Sequence, residues 1–183
     1  MFERSDYRDS IIKRMFFALP CPASVVTRVV AWRKEQGIDG RLVPPENLHM
    51  TLAFLGEIPE EQIDALMALG DHIRFEPCTV VLDRVERWHQ GLISMIASQT
   101  PVPLVSLVDD LNLGLKSLGV PLDRRPFVPH LTAARKSRYR PNGLPSLAWP
   151  VERFALFVSE SGQGSVQYRA LKEWTVAEGS PGE

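Results

Sequence analysis

Apolar residues along this chain recur in two rhythms, and the switches between them predict its elements. Met15 to Leu19 (MFFAL) is a compact apolar run closed by Pro20, which predicts a buried strand. From Pro22 the spacing turns helical, with Val25, Val26, Val29, Val30 and Arg33 on one side and Gly37 and Gly40 at the end. Arg41 to Asn47 (RLVPPEN) reads as an extended, proline-stiffened approach to a strand over His49 to Leu55, stopped by Gly56. Pro59, Glu60 and Glu61 open a second helix with acidic residues at its positive end and Ile63, Leu66, Met67 and Ile73 as its stripe. Thr79 to Arg87 and Leu92 to Ala97 read as two strands around a Trp-His-Gln-Gly turn. Pro101 and Pro103 introduce a third helix, whose stripe of Leu104, Leu107, Val108, Leu111, Leu115 and Leu118 fits a 3.6-residue period and is capped by Gly119. Pro129 leads into a short strand over His130 to Ala134; residues 137–150 read as a loop. Arg153 to Glu160 and Val166 to Val176 read as a closing strand pair, with loose termini over 1–13 and 177–183.

Strands and helices mix without strict βαβ alternation, which predicts an α+β fold with antiparallel pairing. An internal duplication is suggested, because both halves contain a proline-rich approach followed by a strand that opens His-x-Thr. The 183 residues, 44% hydrophobic and 23% charged, suit a single domain over 1–183 and argue against wholesale disorder. With 21 Lys+Arg against 22 Asp+Glu the net charge is −1, which excludes a uniformly basic nucleic-acid coat but not a local basic patch. The two cysteines, Cys21 and Cys78, form no C-x-x-C pair, which argues against a disulfide scaffold or a cysteine zinc site and fits reduced thiols in a cytoplasmic protein. No apolar stretch approaches about 18 residues, so no membrane span is expected. A monomer is the default expectation.

The chemistry concentrates at the repeated motif. Of four histidines, two stand in the same pattern, His49-Met50-Thr51 and His130-Leu131-Thr132. With six threonines in the chain, a given His has Thr two places later by chance in only about 1 case in 30. On a strand, residues two apart share a face, so His49 projects with Thr51, and His130 with Thr132. If the two strands lie side by side, two imidazoles and two hydroxyls floor one groove. Imidazoles titrate near neutrality, so one can take a proton while the other gives one, and the hydroxyls can donate to phosphate oxygens. Such an acid–base pair astride a phosphodiester needs no metal or cofactor. Residues 124–140 supply Arg124, Arg125, Arg135, Lys136, Arg138 and Arg140 and no Asp or Glu, which suits an anionic substrate. Arg135 is the first choice for a phosphate contact. Arg124 and Arg125 are candidate substrate contacts, as is Phe127, a candidate stacking surface beside His130. Trp88 and Trp174 read as core or rim aromatics, and His72 and His89 as structural.

At Met15–Pro22 (MFFALPCP), Leu42–Gly56 (LVPPENLHMTLAFLG) and Phe127–Arg135 (FVPHLTAAR) the sequence resembles the two-histidine phosphoesterases, and among them the RNA 2′,3′-cyclic phosphodiesterases, also called 2′-5′ RNA ligases. The resemblance implies a bilobal fold of two antiparallel sheets related by a pseudo-twofold axis around a central groove, with helices on the outer faces and no required metal. It implies opening of a terminal 2′,3′-cyclic phosphate on RNA, tRNA fragments included, to a 2′-phosphomonoester, and a possible 2′-5′ ligase activity. By the same resemblance His49 is the proton donor and His130 the proton acceptor, with Thr51, Thr132 and Arg135 on phosphate oxygens. Ala133 departs from the larger aliphatic residue common at that place, which predicts looser packing there. Competing readings are a phosphodiesterase of small cyclic nucleotides or 2′-5′ oligonucleotides, a nucleotide- or RNA-binding module without turnover, and a metal-dependent phosphodiesterase.

Overall fold

A computed structural model describes residues 11–143 and 146–176 of the chain. The predicted tail over 177–183, and most of the predicted lead-in, lie outside the described residues.

The strands are β1 (Ile12–Pro20), β2 (Arg41–Leu42), β3 (His49–Pro59), β4 (Cys78–Leu82), β5 (Arg84–Trp88), β6 (Leu92–Ile96), β7 (His130–Arg135), β8 (Leu147–Val151), β9 (Arg153–Gly162) and β10 (Ser165–Thr175). The helices are α1 (Ala23–Glu35), α2 (Ile63–His72) and α3 (Val102–Ser117). All pairings are antiparallel. One sheet has the order β10-β9-β1-β3 and a second β2-β7-β6-β5, while β4 and β8 form a small sheet of their own. The fold is α+β, as predicted, with one His-x-Thr strand in each large sheet. The two motif strands differ in their settings: β3 ends its sheet, whereas β7 is flanked by the two-residue strand β2.

One apolar cluster runs through the molecule and explains where the elements lie. Met15, Phe17 and Leu19 of β1, Met50 and Leu52 of β3, Leu131 and Ala133 of β7, and the α3 stripe from Leu104 to Leu115 all belong to it. Leu104, Leu111 and Leu115 are fully buried, each contributing about 1.5–3 kcal/mol. On α1 the buried set is Val25, Val29, Trp32 and Arg33, while Val30, read as part of the stripe, is exposed.

Several boundaries differ from the sequence reading, each for a visible reason. Pairing begins at Ile12, inside the predicted loose lead-in, because Ile12 and Lys13 face Pro59 and Ile58. Gly56 does not stop β3. It adopts φ +74 at a register shift that leaves Leu55 unpaired, so it serves a bulge and the strand runs on to Pro59. The single strand read over Thr79–Arg87 is two strands in two sheets, β4 and β5. Between them Asp83 donates its N–H to Ile96 O and accepts from Ser98 N through its carboxylate. The loop read over 137–150 contains the start of β8, where Leu147, Trp149 and Val151 are buried in alternation. Its Pro150 is tolerated because this sheet has only two strands, so a missing N–H can face away from the partner.

Candidate active site

Both motif histidines are held in the same way. His49 Nδ1 donates to the backbone carbonyl of Asn47 at 2.7 Å, and His130 Nδ1 donates to that of Val128 at 2.8 Å. Each tie runs two residues back along the chain. It fixes the ring and leaves Nε2 as the working nitrogen. His49 Nε2 lies 3.1 Å from Thr51 Oγ1, so that pair does share a face. Thr51 and Thr132 are both half-buried.

The strands β3 and β7 are neighbours, and the charges of His130 and Arg135 act on His49. His49 is pushed below the ordinary histidine range chiefly by burial. The Asn47 carbonyl opposes this, and the positive charges of His130 and Arg135 add to it. The contact between β3 and β7 sets the two His-x-Thr motifs on neighbouring strands.

β7 carries an irregularity between its motif and Arg135. Strict alternation from His130 and Thr132 would put Ala134 on the groove face. The register instead pairs Ser94 with Thr132 and Ile93 with Ala134, leaving Ala133 as the extra residue. Ala133 and Ala134 are both fully buried and Arg135 is exposed. The Ala133 carbonyl accepts from the buried Arg33 and from Val43 N, both at 3.1 Å.

The remaining candidates differ in their surroundings. Phe127 is half-buried against the core. Arg125 is engaged by Asp123, with Nε 3.0 Å from both carboxylate oxygens, so its charge is neutralised next door. That pairing holds the Asp123 carboxyl down to about 2. Arg124 is exposed. Among the described residues no three His, Cys, Asp or Glu side chains cluster so as to hold a metal ion.

A family model described as LigT like Phosphoesterase matches residues 19–94. The RNA 2′,3′-cyclic phosphodiesterase of Escherichia coli (strain K12) is 32% identical over 173 residues, covering 91% of this chain and 98% of that one. The chain belongs to the LigT-like phosphoesterase family. The protein of the same name from Thermus thermophilus is 33% identical over 178 residues, covering 89% of this chain and 90% of its own. The crystal structure of E. coli LigT complexed with 3′-AMP superposes with a TM-score of 0.80 at 32% identity, over 92% of this chain and all of that one.

Around the paired motifs, this LigT-like phosphoesterase places side chains that the sequence reading did not assign. Phe16 and Tyr168 pack on His49 with ring centroids 4.9 and 5.1 Å away. Asn47 is buried, donating from Nδ2 to Val166 O at 2.8 Å and accepting from Tyr168 N at 3.3 Å. It therefore steadies both His49 and the ring beside it. Trp88, read as a core or rim aromatic, stands 4.9 Å from His130 at 61°, its indole N–H donating to Glu86 at 2.8 Å. Arg84 closes that chain at 3.3 Å from Glu86. The available signal was period-two spacing, which puts Arg84, Glu86 and Trp88 on one face of β5.

Proposed function

We propose that this chain hydrolyses terminal 2′,3′-cyclic phosphates on RNA to 2′-phosphomonoesters, with His49 as proton donor, His130 as proton acceptor and no metal. The observation that carries the reading is the matched pair of imidazoles, each tied through Nδ1 to a carbonyl two residues upstream, with the charge of one acting on the other. The curated relatives named RNA 2′,3′-cyclic phosphodiesterase, and the related structure holding 3′-AMP, support the substrate class.

In this mechanism the O–H of Thr51 and Thr132 and the Arg135 guanidinium hold the non-bridging oxygens. Water attacks phosphorus and gives its proton to His130 Nε2. The P–O3′ bond breaks as His49 Nε2 delivers a proton to O3′. The product keeps its phosphate on O2′, and exchange with solvent resets the two rings. A 5′-hydroxyl in the place of water would form a 2′-5′ linkage by the same transfers.

Burial favours the neutral form of His49, which at first sight suits a donor poorly. An anionic phosphate seated beside it favours the imidazolium, so substrate charges its own acid. Neutral His49 accepts from the Thr51 hydroxyl at Nε2. Once Nε2 is protonated, that hydroxyl is released to donate to phosphate.

We further propose that the enzyme works as a cytoplasmic monomer of two lobes. All the assigned side chains come from one chain around one continuous core, and no described helix is long and apolar enough to cross a membrane. The test is incubation of an RNA ending in a 2′,3′-cyclic phosphate, in chelator, followed by phosphorus NMR. A 2′-phosphomonoester is expected; a persisting cyclic phosphate or a 3′-monoester contradicts the reading.

A further inference from the structure

Arg41 on β2 and Arg135 on β7 are direct partners across the sheet edge. Opposed residues of antiparallel strands share a face, with Cβ atoms about 4.5–5.5 Å apart, and like charges so placed repel. Both side chains are exposed, and among the described residues neither makes an ion pair or a hydrogen bond to a carboxylate. The nearby Asp39 is spent elsewhere. Its carboxylate accepts from Ser137 Oγ at 2.6 Å, Arg138 N at 2.8 Å and Tyr139 N at 3.1 Å.

The backbone segments that carry the two arginines are also tied together. Gly40 packs so close to the other loop that a Cβ there would lie 2.5 Å from the Arg135 carbonyl, and its φ of +85 excludes most side chains. Arg87 Nε and the Asp39 carboxylate grip the same segment beyond β7, at Ser137 O and at Ser137 Oγ. The fold therefore sets two like charges side by side, and among the described residues no carboxylate pairs with either of them. An external anion is the partner that such a pair lacks. Arg135 already acts on His49 and belongs to the reacting phosphate, whereas Arg41 stands one strand further out, on the edge strand of the sheet.

We propose that Arg41 binds the phosphodiester one nucleotide upstream of the terminal cyclic phosphate, so that the preferred substrate is an oligonucleotide rather than a mononucleotide. This rests on the cyclic-phosphate reading above. A mononucleotide 2′,3′-cyclic phosphate has a single phosphate, which Thr51, Thr132 and Arg135 occupy, and it leaves Arg41 unpartnered. A dinucleotide supplies the second anion, which a guanidinium can grip with two parallel hydrogen bonds.

The test compares kcat/KM for adenosine 2′,3′-cyclic monophosphate and for a diadenosine dinucleotide ending in the same group, in wild type, Arg41→Ala and Arg41→Lys, at two salt concentrations. Wild type should favour the dinucleotide. Arg41→Ala should reduce the dinucleotide-to-mononucleotide ratio about tenfold, with Arg41→Lys between the two. The logarithmic salt dependence for the dinucleotide should become shallower by about 0.7 in Arg41→Ala. Circular dichroism and thermal melting establish that each variant is folded. An unchanged ratio in a folded Arg41→Ala overturns the proposal, as does an equal loss on both substrates. Wild type that opens neither substrate rejects the parent reading instead.

Discussion

His49 Nε2 lies 3.1 Å from the hydroxyl of Thr51, two residues along the same strand. Because Nδ1 already donates to Asn47 O, the hydroxyl is the donor while the ring is neutral. In the proposed mechanism Thr51 thus serves the histidine first and the phosphate second. Thr51→Ala should lower kcat/KM by roughly ten- to a hundredfold, the range expected for a hydrogen bond to a charged group. Thr51→Ser should recover most of the loss. Steady-state kinetics on a cyclic-phosphate RNA decide it, and an Ala variant equal to Ser would remove the hydroxyl from the mechanism.

Burial of His49 makes a stability statement with a definite sign. Its native pKa lies below the ordinary value of 6.5, so between the two values the unfolded chain binds more protons than the folded one. The contribution to stability is full above about pH 6.5 and is lost as pH falls toward the native value. Denaturant unfolding from pH 7.5 to 5 should show this decline. His49→Gln, which cannot titrate, should flatten that part of the curve. Proton NMR of the His49 ring should place its midpoint below 6.5, and saturation with an unreactive phosphate analogue should raise it.

Trp88 is a positioning residue in this account, because its ring stands against His130 while its N–H is held by Glu86. Trp88→Ala should lower kcat by about tenfold, and Trp88→Phe by less. The His130 ring resonances should shift in Trp88→Ala and should broaden as the ring gains freedom. Activity loss with unchanged His130 resonances would assign Trp88 a general structural role.

Gly70 is fixed by close packing alone. A Cβ there would lie 2.2 Å from the Trp174 indole, which is stacked on Phe154 at 4.9 Å and held by Asp71 at 2.7 Å. Moving the ring would disturb both its stack and its hydrogen bond, so Gly70→Ala should destabilise the protein by about 1–3 kcal/mol. Chemical denaturation measures this, and an unchanged midpoint would mean that the ring can move.

What the sequence disclosed, and what it hid, follows from the range of each interaction. β3 and β7 could be read because apolar Met50, Leu52 and Leu131 alternate with His and Thr, a local pattern that burial on one face enforces. The α3 stripe was equally plain, with five of its six predicted positions buried. Gly56 misled because the residue that ends strands also serves bulges, and only the partner strand distinguishes the two. Asp83 hid a change of sheet inside one apolar stretch. The irregularity at Ala133, which breaks strict alternation ahead of Arg135, depends on β6, some forty positions away in sequence. Trp88 beside His130 and Arg41 beside Arg135 are likewise products of strand pairing, which no local window contains.

The most direct test of the two-histidine mechanism is the pH–rate profile of wild type, His49→Ala and His130→Ala on one RNA ending in a 2′,3′-cyclic phosphate. Wild type should give a bell. Each variant should lose about a hundred- to ten-thousandfold in kcat and the limb that belonged to the missing ring, while melting cooperatively. Turnover near the wild-type rate in either folded variant, or a bell that survives the loss of one histidine, would contradict the account.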